Sequence, residues 1–511
     1  MQSDDITYVL NFLQGNLPPK ELERHKFGEV FTPLDLVDEM LHSLPHAVWS
    51  NKNLTWLDPA SGIGNFPIKV LLGQDSGKYK YPGLLHGLSK SIPNLKLRCK
   101  HIIEKMLFLI DINENNNKIA RMLFQKLCPH AIPNISYIDK KNGFLTKKSL
   151  TFATGAKNIT MRSFDIIVGN PPFNKGAVRT ALVTEKTRKK KLELGVSDSE
   201  SNYWVKFINK ILIDGYLKKN GYLLFIHPIT WFKSDRLGAH NTILSHQLHM
   251  LKIYKNNGPG TAFGKAGKIS VAWYCLENRP PTKKTTIQYG ADPDLTETLQ
   301  LSTESVLILR YNSIYQKILA KSKLFGNDGI LKHKTSGPCN DSGKHKLISD
   351  IHDDGSMEYV MSTQPHADQN IPKIIIGGIH KPIVYYDRDG SFGIYTKGQR
   401  HYFIGTESEL TNIHRFFKTK LSTLLLEYIK FEQDFIRPSY YPDISAFGKH
   451  ITDASLASFY EFTDEEVAVI KSMDSPIELS KSDIKPNSGT CIGGKIHTTI
   501  KTRKHKKRKE K

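Results

Sequence analysis

Along the first 290 residues, short apolar runs alternate with stretches in which apolar positions recur every three or four residues, the rhythm of a parallel sheet covered by helices. "LTWLD" (54–58), "MLFLID" (106–111) and "FDIIVGN" (164–170) read as three strands, and "YLLFIHP" and "KISVAWYCLEN" supply later ones. The helical pattern is clearest in "PIKVLLG", in "NNNKIARMLFQKL" and over 201–221, where Gly221 is the expected C-terminal stop. From 291 the character shifts. "IPKIIIGGIHKPIVYYDRDGSFGIYTKG" reads as strands joined by Gly and Asp-Gly turns, and "LTNIHRFFKTKLSTLLLEYIKF" reads as helix. No internal repeat is visible.

This patterning predicts an α/β protein in four parts: a lead-in over 1–25, a doubly wound domain over 26–290, an α+β domain over 291–480 and a basic disordered tail over 481–511. Charge sharpens the picture. The chain carries 72 Lys plus Arg against 50 Asp plus Glu, a formal charge of +22. Its last eleven residues, "KTRKHKKRKEK", hold eight basic side chains and one acid, so removing them takes away 8 − 1 = 7 and leaves +15. A body that is basic without its tail suits a polyanionic partner, most simply nucleic acid. The loop after the third strand, "NKGAVRTALVTEKTRKKKLELGVSDSES", is dense in Lys and Arg and stands either as a solvated excursion or as a cover for a bound polyanion. Five scattered cysteines with no C-x-x-C pair suggest reduced thiols, not a disulfide framework or a zinc site. Asp4 and Asp5 stand where a secretion signal carries positive charge, and no apolar run approaches the roughly 18 residues of a membrane span. An intracellular protein with no membrane partner and no metal is the expectation.

Candidate chemistry collects at three places. In "LDPASGIGNF" a strand ends in Asp58 and turns through Pro59, Gly62 and Gly64 into a helix, the way doubly wound proteins make room for a nucleotide-like ligand. The third glycine of G-x-G-x-x-G is absent, so a plain tight turn is the competing reading. Asp111, closing the next strand, is placed to accept ribose hydroxyls, and an ordinary surface acid is its alternative. Upstream, Thr32 and Pro33 precede "LDLVDEML" as the expected N-cap and first helical residue, and the helix N-terminus they open suits a carboxylate.

The double proline after the third strand is the most telling feature. Pro171 and Pro172 cannot continue a central strand or a helix, so the strand must stop where an open α/β sheet binds ligands. There Asn170 offers a side-chain carbonyl and Pro171 a backbone carbonyl, two acceptors for the two hydrogens of an exocyclic amine. Phe173 offers a face on which a planar base stacks. Accepting both hydrogens draws the amine out of conjugation with its ring and frees its lone pair for attack on a methyl donor.

Taken in order, "FGEVFTPLDLVDEM", "LDPASGIGNF" and "FDIIVGNPPFNKG" resemble the N6-adenine DNA methyltransferases of the type II and Eco57I-like restriction–modification group, over roughly residues 26 to 290. The resemblance implies a Rossmann-like methyltransferase domain that uses S-adenosylmethionine, flips an adenine out of double-stranded DNA and works as a monomer, followed by a second domain that reads sequence. It assigns Asn170, Pro171, Pro172 and Phe173 to catalysis, and Phe31, Thr32, Pro33, Asp58, Pro59, Gly62, Gly64, Asp111 and Phe144 to the cofactor. "AFGKAGKISVAWYCLEN" is similar to the late motif that sandwiches the flipped base, which nominates Phe263 beside Phe173; a core aromatic is the competing reading. Asp111 follows Gly64 by 47 residues, and the inserted "DSGKYKYPGLLHGLSKSIPNLKLRCK" accounts for that gap. In "NGFLTKK", Gly143 stands where the family carries an acid. Rival readings are a methyltransferase acting on RNA adenine or protein glutamine, and a DNA-binding relative without catalysis. No P-D followed by E-x-K suggests a fused nuclease, so modification without cleavage is expected, in the cytoplasm or, in a eukaryotic host, in the nucleus or a viral factory.

Overall fold

The computed structural model describes residues 3–16, 31–137, 144–145, 149–154, 157–173, 202–232, 238–255, 262–263, 270–290, 295–310, 313–326, 331–332, 339–352, 354–378, 380–395, 401–430, 437–487, 490–492 and 495–497. Two units divide the chain, Met1–Leu307 and Ile308–Lys511. The basic loop over 174–200, Gly143 and the extreme tail over 498–511 lie outside the described residues.

Among the described residues the first unit holds eleven strands: β1 (Trp56–Asp58), β2 (Leu107–Asp111), β3 (Asn134–Tyr137), β4 (Leu150–Thr154), β5 (Lys157–Met161), β6 (Phe164–Gly169), β7 (Leu217–Pro228), β8 (Gln247–Tyr254), β9 (Val271–Glu277), β10 (Thr285–Tyr289) and β11 (Thr296–Leu299). They form one sheet in the order β11-β10-β8-β9-β7-β6-β1-β2-β3-β4-β5. The five central strands, β3-β2-β1-β6-β7, are parallel throughout. β9 runs antiparallel between β7 and β8. All five residues of β2 and all three of β1 are buried, as expected of strands covered on both faces. The order of the central strands reverses between β1 and β6, and a doubly wound sheet opens its ligand crevice outside the carboxyl ends at such a switch.

Helices cover the sheet. They are α1 (Ser3–Gly15), α2 (Leu34–His42), α3 (Asn65–Leu72), α4 (Leu95–His101), α5 (Glu114–Leu127) and α6 (Tyr203–Leu212). α5 shows why: Asn113 caps its first turn through Asn115 N–H at 3.1 Å, and Ala120, Leu123, Phe124 and Leu127 bury one stripe.

Several boundaries differ from the sequence reading. The lead-in is part of the fold, because α1 buries Val9 and Leu13 in the main core. Ordered sheet continues past 290, since β11 pairs with β10 and the first unit closes at Leu307. The helix expected over 201–221 ends at Leu212, and Gly221 lies within β7, where a Cβ would meet Asp165 O at 2.5 Å. Thr32 is not the cap of α2. Pro33, with φ −55° and ψ 144°, takes that position without a side-chain bond, and Asp35 in the first turn accepts Leu36 N–H at 2.9 Å instead.

The second unit is α+β. Its strands are β12 (Leu331–Lys332), β13 (His345–Ile351), β14 (Met357–Ser362), β15 (Lys373–Gly377), β16 (Ile383–Asp387), β17 (Phe392–Ile394), β18 (His401–Phe403), β19 (Ile477–Leu479) and β20 (Ile484–Pro486). One sheet runs β12-β18-β15-β16-β19 and another β17-β13-β14-β20. The helical stretch after 406 splits into α7 (Glu407–Phe416) and α8 (Lys420–Ile429), because Thr419 caps a new start through Ser422 N–H. Order also extends beyond 480, as β20 pairs with β14; the expected tail therefore begins as structure. Cys99, Cys128 and Cys275 are free thiols, whereas Cys339 is disulfide-bonded, a correction to five reduced cysteines. No described helix is long and apolar enough to cross a membrane.

Candidate active site

The carboxyl ends of β1, β2 and β6 bring the three sequence motifs together. Asp58 ends β1, buried at 2% exposure, and its Oδ1 accepts Ala60 N–H at 3.1 Å. The chain then turns toward β2, where Ser61 N–H donates to Ile110 O at 2.9 Å and Gly62 N–H to Asp111 Oδ2 at 2.8 Å. Despite the long insertion, Asp111 therefore meets the Gly62 turn directly. Its other oxygen accepts Asn113 N–H at 2.7 Å and Asn116 Nδ2 at 3.2 Å.

Two glycines make this junction possible. Gly62 adopts φ +54°, and a Cβ on it would lie 2.7 Å from Cε1 of Phe31, so the Phe31 ring covers the turn. Gly169, last residue of β6, has φ +152°, and its Cβ would lie 2.8 Å from Asp58 Oδ1. That approach brings the end of β6, just before Asn170 and the double proline, against Asp58. Pro171 is buried, while Asn170, Pro172 and Phe173 are half-buried. Phe173 O accepts Tyr203 N–H at 2.9 Å, tying the motif to the start of α6.

Electrostatics set this corner apart. Burial raises the Asp58 carboxyl well above its ordinary range, with the nearby Asp111 charge adding to the rise. Burial likewise lifts Asp111 to about 6, against three donors that favour its charged form. Two carboxyls held up by desolvation gain from a positive charge brought between them. The donor set thus fits a cationic nucleoside such as S-adenosylmethionine, whose ammonium and sulfonium are both positive. Among the described residues no group of His, Cys, Asp and Glu is arranged to hold a metal.

Of the other candidates, Thr32 is buried, and its carbonyl accepts Asn65 Nδ2 at 2.9 Å, joining the Phe31–Pro33 segment to α3. Gly64 is the N-cap of α3 in the left-handed region. Pro59 is buried in the turn. Phe263 meets Phe173 edge-to-face, ring centroids 6.2 Å apart. Phe144 does not stand at the junction of the motifs by any contact described: it is buried, stacked on Phe207 of α6 at 5.5 Å and edge-on to Tyr216 at 5.1 Å.

Sequence reasoning missed five participants. Asn65 sits inside the quoted glycine motif and joins it to Thr32. Gly169 precedes the prolines and looked like ordinary strand. Asn113 and Asn116 hold the Asp111 carboxylate, a role the run of four asparagines in "INENNN" signals only once Asp111 is known to be buried. Ile112, 47% exposed beside Asp111, offers an apolar face at the carboxyl edge.

Known proteins resemble parts of this chain. Residues 95–263 match the family model described as Eco57I restriction-modification methylase. An uncharacterized adenine-specific methylase of Mycoplasma pneumoniae is 38% identical over 96 residues, 18% of this chain and 20% of that protein. The chain thus spans about a fifth of that curated relative's length. Among solved structures, the type IIL restriction-modification enzyme MmeI in complex with DNA aligns over 91% of this chain and 76% of its own, at 11% identity and TM-score 0.44. The M protein of the type I restriction enzyme EcoKI aligns over 51% and 48%, at 14% identity and TM-score 0.32. These are loose likenesses, and the fold assignment rests on strand order. Residues 95–263, which hold β2, β6 and the Asn170–Phe173 motif, are the part of the chain that is similar to the Eco57I restriction-modification methylase family.

Proposed function

We propose that the chain is a site-specific DNA methyltransferase that transfers a methyl group from S-adenosylmethionine to N6 of an adenine flipped out of double-stranded DNA. The observation that carries this reading is the abutment of Gly169 on Asp58 Oδ1, which sets Asn170 and Pro171 beside the turn formed by Asp58, Gly62 and Asp111. S-adenosylmethionine supplies an activated methyl group. The chain's own residues do the rest. Asp58 and Asp111 meet positive and hydroxyl groups of the cofactor, Phe31, Thr32 and Pro33 cover the glycine turn, Pro59 and Gly64 shape it, and Ile112 gives apolar support to an adenine ring. Asn170 Oδ1 and Pro171 O accept the two amino hydrogens of the target base, and Pro172 fixes the backbone that presents them. Phe173 and Phe263 stack on the base from two sides, at a typical ~1–3 kcal/mol for each base stacked. The second unit reads sequence, and the net charge of +22 draws in the phosphate backbone.

The test is incubation of the full chain with unmethylated duplex DNA and labelled S-adenosylmethionine, followed by mapping of N6-methyladenine. Methyl transfer to one short motif is the expected result, and Asn170→Ala is expected to lower it by about 10²-fold or more, the typical effect of removing one preorganised polar contact. Transfer to RNA in preference to DNA overturns the substrate, and an active Asn170→Ala chain overturns the mechanism.

A further inference from the structure

α2 follows directly from the Phe31–Pro33 segment, and it carries two adjacent carboxylates that the reaction does not use. Both are buried at 8% exposure, in a position of the sequence that reads as ordinary helix surface. Glu39 Oε1 accepts Tyr254 O–H at 2.6 Å and Trp273 Nε1–H at 2.8 Å, and it forms an ion pair with Lys252 Nζ at 2.8 Å. The Glu39 carboxylate also acts on Tyr79, from the inserted stretch, adding to the rise that burial imposes on its hydroxyl. Asp38 faces different partners, Lys69 of α3 at 2.9 Å and the Tyr81 hydroxyl at 2.7 Å.

Successive residues of a helix point roughly 100° apart, so the two acids grip α2 from two directions, one toward β8 and β9, the other toward α3. Such a grip fixes rotation about the helix axis as well as translation along it. Pro33 begins this helix, with Val37 N–H donating to Pro33 O at 3.0 Å. Any shift of α2 is therefore passed to Thr32, whose carbonyl holds Asn65, and to Phe31, whose ring touches Gly62.

We infer that Glu39, paired with Lys252, is a positioning residue that clamps α2 so that Phe31–Pro33 is held over the Gly62 turn. It rests on the methyltransferase reading only for the identity of what the turn receives. Two hydrogen bonds and a buried ion pair converging on one carboxylate go beyond what anchoring a surface helix requires. The Lys252 ammonium, 1% exposed, has Glu39 as its ion-pair partner. Removing the Glu39 charge leaves that cation buried and uncompensated, which drives local loosening.

The experiment uses the full chain with Glu39→Gln, which keeps the shape of the side chain. Two readouts are taken well below the variant's melting temperature: amide hydrogen exchange, and the Kd for S-adenosylhomocysteine. Exchange is expected to quicken at least tenfold in peptides covering 31–42 and 62–68 and to stay unchanged over 345–362. The Kd is expected to rise at least tenfold. Lys218→Met, which breaks the 2.8 Å pair with Asp165 at the opposite end of β6, serves as a control for plain destabilisation and is expected to change neither. Should Glu39→Gln fail to fold, Tyr254→Phe removes a single donor and is expected to show the same pattern at about threefold. Parent-like exchange over 31–42, or faster exchange with an unchanged Kd, overturns the clamp. If the parent binds no S-adenosylhomocysteine, the methyltransferase reading fails, and the exchange readout by itself decides whether Glu39 holds the segment.

Discussion

Asp111 shows how one side chain joins stability to binding. Its carboxyl, moved from an ordinary 3.8 to about 6, is destabilised when charged because burial outweighs three hydrogen bonds. For an acid with a raised folded pKa, the favourable contribution to folding is complete below 3.8 and is lost as pH climbs through 6. Relative to the parent, Asp111→Asn should therefore gain about 2 kcal/mol of unfolding free energy between pH 4.5 and pH 7.5, a trend that urea titrations at the two pH values measure. The same variant should bind S-adenosylmethionine at least tenfold more weakly at pH 7.5, and the parent's own affinity should fall as pH drops below 6, because a cation is attracted only to the ionised acid. Gly169 makes the complementary point about space. A methyl group there comes within 2.8 Å of Asp58 Oδ1, so Gly169→Ala is expected to cost about 1–3 kcal/mol and to lower methylation more than tenfold. Gly15→Ala, with nothing within 4 Å, is the matched control and should leave the melting temperature unchanged.

At the scale of elements, the site is made where loops leave the sheet. The loop after β1 bonds to β2, the last residue of β6 closes on Asp58, and the segment leading into α2 lies over the loop after β1 through Phe31 and joins α3 through Thr32 and Asn65. None of these contacts joins neighbours in sequence. The inserted stretch from 75 to 100 illustrates the consequence: it looked like an interruption, yet Tyr79 and Tyr81 reach the two acids of α2. Phe173 and Phe263 also come from different parts of the chain and meet edge-to-face, which on the proposed mechanism puts their contact where the flipped base goes. Base entry then requires the rings to part, so each of Phe173→Ala and Phe263→Ala should raise the KM for DNA roughly tenfold to a hundredfold with little change in cofactor affinity. Steady-state kinetics in which DNA and cofactor are varied separately checks this.

The whole molecule has two units with separate hydrophobic cores. A fragment ending at Leu307 should unfold in one cooperative transition and keep cofactor binding, while losing preference for a particular DNA sequence; calorimetry and competition with random DNA test the two halves of that expectation. The excess of 22 positive charges predicts salt-sensitive DNA binding. Log K should fall linearly with log salt at about −0.9 per phosphate neutralised, and a slope shallower than about −2 would count against duplex DNA as the partner.

The chain's local order was enough to define the alternation of strands and helices, the double-proline stop at Pro171 and Pro172, and the nomination of Asp58, Gly62 and Asp111, because these depend on hydrophobic period and on what proline and glycine allow within a few residues. Where helices ended was less legible. Gly221 resembles a helix stop, and only its place within β7, where its carbonyl accepts Asn278 N–H at 2.9 Å, shows it to be strand. The tertiary fold alone decided that Gly169 touches Asp58, that Phe31 covers Gly62, and that Glu39 is buried against Lys252, Tyr254 and Trp273. These contacts span from about 30 to more than 200 residues of chain, a distance over which no local propensity acts, and a carboxylate's burial is invisible until the donors that compensate it have been brought to its side.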